Sequence, residues 1–66
     1  MDSVFLGYVV VLRDYMNPDG TPRVIYDRGK RPGTRDWMER EAVAWREDGY
    51  DAVVMGVEAS LATVEV

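Results

Sequence analysis

Cysteine and histidine are absent from this sequence of 66 residues, and lysine occurs once, at Lys30. Without cysteine no disulfide can constrain the chain, and without either residue the usual structural zinc set cannot form. The same absences remove the commonest general base and the commonest thiol nucleophile, so no nucleophile and base pair can be named. Enzymatic activity is therefore not expected, and no residue set indicates a metal or a cofactor. Long apolar runs are also missing. The run from Val4 to Leu12 is less than half of the roughly 20 residues that a membrane-spanning helix needs. Met1-Asp2-Ser3 lacks a positively charged n-region. The expectation is a cytoplasmic protein with no membrane contact.

What is present suits one small folded domain, residues 1–66. Hydrophobic residues make up 47% of the chain and seven residues are aromatic, which is ordinary for a globular protein and too high for a disordered tail. The length lies near the lower limit for a single core without metals or disulfides. Stability must then come from good packing or from association, and a homodimer is expected. The formal charge is −4, but Arg28, Lys30, Arg31 and Arg35 concentrate +4 within residues 28–35. The protein reads as an acidic body with one basic corner, and an acidic body favours basic partners.

Residues 4–15, VFLGYVVVLRDY, are β-branched, aromatic and almost continuously apolar up to Arg13, which predicts a central strand. Asn17-Pro18-Asp19-Gly20 has the residues of a tight turn, and residues 23–27, RVIYD, resume strand composition, so a hairpin follows. The second strand is about half the length of the first and leaves Val4 to Tyr8 to be covered by something else. Thr34 as N-cap, Asp36 in the first turn and Gly49 after the end delimit a helix over RDWMEREAVAWRED. Its spacing turns Met38, Ala42 and Trp45 toward the sheet and Val43 away from it, and sets Asp36 and Arg40 at the distance of an i,i+4 pair. A third strand after Gly49 returns antiparallel to the first on its free side. The expected fold is α+β: a ββαβ chain with a small antiparallel sheet of order 2-1-3 and one helix on one face. Val53, Met55, Val57, Ala59 and Leu61 keep one alternation phase, whereas Val64 and Val66 keep the other. A bulge or a short hairpin near Glu58 to Ala62 would reconcile them, the hairpin adding a short fourth strand.

Two surfaces carry candidate sites. Trp37, Glu39, Glu41 and Glu47 are the candidate partner-binding residues of an acidic helix. Between residues 36 and 58 seven acids face two arginines, a charge that could occupy the basic groove of a target or could simply solubilise the surface. Trp37, on the flank of the apolar stripe, suits either the core or an interface, whereas Trp45 belongs to the core. Glu41 lies between the two tryptophans, where desolvation would raise its pKa, but a helix-flank glutamate that reaches water or pairs with an arginine is the plainer account. The second surface is RGKRPGT, in which Arg28, Lys30, Arg31 and Arg35 surround glycines ahead of a helix N-terminus, an arrangement able to bind an anion. The residue order is not that of a P-loop. A solvated connector that keeps a sheet edge from pairing is the plainer account of the same residues.

The run AWREDGYDAVV resembles small proteins encoded by actinobacteria and their phages, and the Arg-, Asp- and Gly-rich composition fits that origin. A fainter likeness is to half of a sporulation-related peptidoglycan-binding repeat, which needs a second βα half that this sequence lacks. The first resemblance implies a phage or accessory protein that binds and modulates a host protein. The expected function is thus a non-enzymatic protein-interaction module. The alternative is a small nucleic-acid or phosphate binder using the basic loop.

Overall fold

The computed structural model describes residues 3–60, the side chain of Ser60 excepted. Strand β1 (Ser3–Met16), strand β2 (Pro22–Ile25), helix α1 (Arg35–Glu47) and strand β3 (Ala52–Ser60) follow one another along the chain. Both strand pairs are antiparallel and the sheet order is β2-β1-β3. This is the expected ββαβ arrangement, with α1 packed on one face. β1 is longer than anticipated, and its 14 residues account for the 44 Å long axis of the molecule at about 3.3 Å per residue.

The core is small because one helix has to cover the sheet. Val10 and Leu12 from β1, Met38 and Ala42 from α1 and Ala52 from β3 are buried together, with Tyr8, Ile25, Trp45, Tyr50 and Val54 packed around them. Alternation along the paired strands sends Val9, Val11, Val24, Val53, Met55 and Val57 to the opposite face. No described helix or strand lies over that face, yet Val9 on it is buried, and of these six residues only Met55 is exposed.

Each boundary of α1 has a local cause. The Thr34 hydroxyl accepts from the Trp37 amide at 3.3 Å, in extended backbone suited to an N-cap. At the other end Gly49, at φ +96°, donates to the Arg46 carbonyl at 3.0 Å, and the Tyr50 amide donates to the Trp45 carbonyl at 3.1 Å. Those two bonds form a Schellman motif, and the Tyr50 ring closes it edge-on against Trp45 at 5.2 Å. Val43 is exposed, as its position on the helix predicts. The ion pair along the helix joins Arg35 to Glu39 at 3.9 Å instead of Asp36 to Arg40.

Two irregularities fall where the sequence left questions. Opposite β3 the register passes from Phe5↔Glu58 to Gly7↔Val57, so the bulge inserts Leu6 into β1, while β3 keeps its alternation. The bulge or hairpin expected near Glu58 to Ala62 is not present in β3 up to Ser60, and the rest of that stretch lies outside the described residues. Among the described residues the sheet has three strands; of residues 59–66, which could either form a fourth strand or extend the third, Ala59 and Ser60 extend β3 and 61–66 lie outside the described residues. The unpaired flank of β1, on the side where β2 ends, is occupied by the chain itself. Tyr8 and Gly33 exchange both backbone hydrogen bonds at 2.9 Å, so the return arm of the basic loop extends the sheet past β2.

Candidate protein-binding groove

The basic segment is a folded turn. The Asp27 amide donates to the Arg31 carbonyl at 3.0 Å, the Arg31 amide donates to the Arg28 carbonyl at 2.9 Å, and Gly29 takes φ +55° at the tip. Gly provides that left-handed conformation without strain. Two of the backbone amides thus serve the turn itself. The sequence order Gly29-Lys30 ahead of Pro32-Gly33-Thr34 makes a hairpin tip followed by a docked arm.

Docking of that arm creates a groove of about 450 Å³ between Phe5, Leu6, Gly7 and Tyr8 on β1 and Asp27, Pro32, Gly33 and Thr34 on the loop. A hollow of about 350 Å³ adjoins it, lined by Asp27, Arg28, Thr34 and Trp37. Asp27 and Thr34 border both, so the surface is continuous from β1 to the first turn of α1. Close backbone approach makes this possible. A Cβ on Gly7, which sits at φ +134°, would lie 2.9 Å from the Gly33 carbonyl oxygen, and one on Gly33 would lie 2.8 Å from the Asp27 Cβ.

The groove is apolar and its rim is charged. Phe5, Leu6 and Trp37 are 53%, 48% and 45% exposed, while Tyr8 is half-buried and meets Phe5 edge-on at 5.1 Å. The charged residues of the lining are Asp27, which borders both hollows, and Arg28 in the second; Lys30 and Arg31 lie further along the turn, and Arg35, at the start of α1, pairs with Glu39. Large exposed aromatic and aliphatic side chains around a concavity are the raw material of binding anchors.

The four candidate residues of the helix do not form one surface. Trp37 and Glu41 share a flank, Glu41 half-buried, whereas Glu39 lies roughly 160° around the axis from Glu41 and pairs with Arg35. Glu47 lies about 15 Å along the helix from Trp37. Trp37 is instead brought beside Arg28, joining the two candidate sets that the sequence kept apart. Phe5 and Leu6 escaped the sequence reading because they sit in an apolar strand. Gly7, which interrupts the β-branched run, was the one local sign of a bulge there.

Among the described residues, no group of three acidic, histidine or cysteine side chains could hold a metal ion, and no helix is long and apolar enough to cross a membrane. No protein-family model, curated protein or solved structure matches the chain.

Proposed function

We propose that this chain is a non-enzymatic protein-interaction module that holds a short acidic segment of a partner, anchored by apolar side chains, in the groove between β1 and the basic turn. The reading rests on one observation above all: Phe5, Leu6 and Trp37 stay exposed around a continuous concavity. Their apolar surface supplies affinity on desolvation, and Arg28 in the lining, with Lys30 and Arg31 on the same turn, selects acidic sequences and speeds encounter. The contact surface therefore moves from the acidic helix face to the groove, and the favoured partner changes from basic to acidic. If the chain is phage-encoded, as its sequence resemblance implies, the partner belongs to the host.

Fluorescence anisotropy with a labelled acidic peptide carrying Leu and Phe anchors tests this reading, with its Lys-for-Glu counterpart and a labelled oligonucleotide as comparisons. The acidic peptide should bind best, and Trp37→Ala should weaken it by about 2 kcal/mol, close to thirtyfold. Equal binding of both peptides refutes the proposal. So does a Trp37→Ala variant of unchanged affinity. Preferential oligonucleotide binding, lost when Lys30 and Arg31 become Gln, would establish the anion-binding alternative in its place.

A further inference from the structure

The two edges of the sheet are built differently. β2 is four residues long, begins at Pro22 and continues into the cationic turn, all features that discourage pairing with another strand. β3 runs for nine residues, AVVMGVEAS, with no proline or lysine, and no described strand lies on its outer side. The Arg13 amide donates to the Asp51 carbonyl at 3.0 Å, which fixes the hydrogen-bonding phase of the β1–β3 ladder. Asp51, Val53 and Met55 therefore turn their backbone groups toward β1, and Ala52, Val54 and Gly56 turn theirs outward. Gly56 is covered by the Phe5 ring, whose edge a Cβ there would meet at 3.0 Å, so the strand stays regular at its weakest residue.

We propose that a second copy of this chain pairs antiparallel along this edge, giving a continuous six-stranded sheet with a twofold axis at Met55. Every register centred on a residue from Val53 to Val57 lets outward groups meet outward groups, and charge decides among them. Arg46 reaches from α1 to the free edge and donates from Nε to the Ala52 carbonyl at 2.8 Å. Glu58 lies on the helix side of β3, in phase with Ala52, Val54 and Gly56, and has no ion pair among the described residues. Centred on Met55, Glu58 of the second copy stands opposite Ala52, beside Arg46. Centred on Gly56 it moves two residues, about 7 Å, away from that cation, and further still when centred on Val57, whereas centred on Val54 or Val53 it passes beyond the end of β3.

In the favoured register Val54 of each copy exchanges two backbone hydrogen bonds with Gly56 of the other. The ladder ends at Ala52, where the carbonyl is already taken and the Arg46–Glu58 pairs close both ends. The groove opens on the β2 side of β1, and Phe5, which lines it, also covers Gly56.

Sedimentation velocity over a concentration series, with Glu58→Arg, Val54→Pro and the charge-swapped Arg46→Glu/Glu58→Arg chain, tests it. The wild type should dimerise. Glu58→Arg, which leaves every bond within the protomer intact, should raise the dissociation constant about tenfold or more, since two ion pairs become repulsive. Val54→Pro removes an outward amide without touching the β1 ladder and should abolish the dimer, and the charge swap should restore part of the affinity lost in Glu58→Arg. A wild type that stays monomeric up to millimolar concentration overturns the proposal, including the case in which slow amide exchange at Val54 and Gly56 shows the chain's own C-terminal residues on this edge. A dimer indifferent to both Glu58→Arg and Val54→Pro overturns it equally.

Discussion

Gly33→Ala perturbs the groove at the point where loop, strand and helix meet. The added Cβ would lie 2.8 Å from the Asp27 Cβ, 3.1 Å from the Asp27 Cγ and 3.0 Å from the Met38 Sδ. Carbon pairs are at rest near 3.5–4.0 Å, so something must move by roughly 0.7 Å or more. Gly33 cannot easily retreat, because its amide and its carbonyl are both bonded to Tyr8 at 2.9 Å. Met38, fully buried against Val10 and Leu12, has little room to yield. Overpacking of this kind costs about 2 kcal/mol at the middle of its range, and the stiffer unfolded chain offsets about 0.7 of it, so the net loss is about 1.3 kcal/mol. A domain of this length is held by roughly 3–10 kcal/mol in total. Urea unfolding followed by circular dichroism should therefore show the midpoint falling by about 1.3 M for a slope near 1 kcal/mol/M. Asp27→Gly in the same chain removes the closest clashing atoms and should recover part of the loss. A Gly33→Ala variant within about 0.5 kcal/mol of wild type, or a double variant that recovers nothing, would refute the close-approach argument and with it the geometry of the groove floor.

Thr34→Ala removes the hydroxyl that accepts from the Trp37 amide and should lower unfolding stability by about 1 kcal/mol in the same urea assay. Serine at that position should restore most of it. In the β1–β2 turn, the Thr21 hydroxyl at 2.6 Å and the Thr21 amide at 3.0 Å both donate to Asp19 Oδ1 and hold its carboxyl below the usual aspartate range. A lowered folded-state pKa stabilises the fold above the unfolded-state value, and that contribution is lost as pH falls through the folded-state value. NMR titration should find Asp19 ionising below an ordinary aspartate, with Thr21→Val moving it back up. An unchanged titration in Thr21→Val would show that the hydroxyl is not the cause.

Much of the fold was legible because its signals are local. The Asn17–Gly20 turn, the Thr34 cap and the Gly49 stop each depend on residues within a few positions of one another, and the stripe of Met38, Ala42 and Trp45 follows from helical periodicity. Strand order 2-1-3 followed from lengths: a short β2 cannot fill both sides of a long β1. The groove was not legible, because it depends on contacts between distant positions. Nothing near Gly33 says that it will pair with Tyr8, and nothing near Trp37 says that Arg28 will fold back beside it. The acidic helix set dissolved for a related reason. Proximity in sequence grouped Glu39, Glu41 and Glu47, but a helix turns each residue by about 100° and spreads them over different faces.

By itself the sequence determined the elements, their order and the absence of cysteine and histidine chemistry, because periodicity, capping residues and composition act within one turn or one strand. Only the tertiary structure decided which way the basic segment faces. Once β2 ends at Ile25, the remaining flank of β1 needs hydrogen-bond partners, and the chain supplies them by laying Pro32–Gly33 along Tyr8. That requirement folds the cations into a turn and leaves Phe5, Leu6 and Trp37 around one concavity.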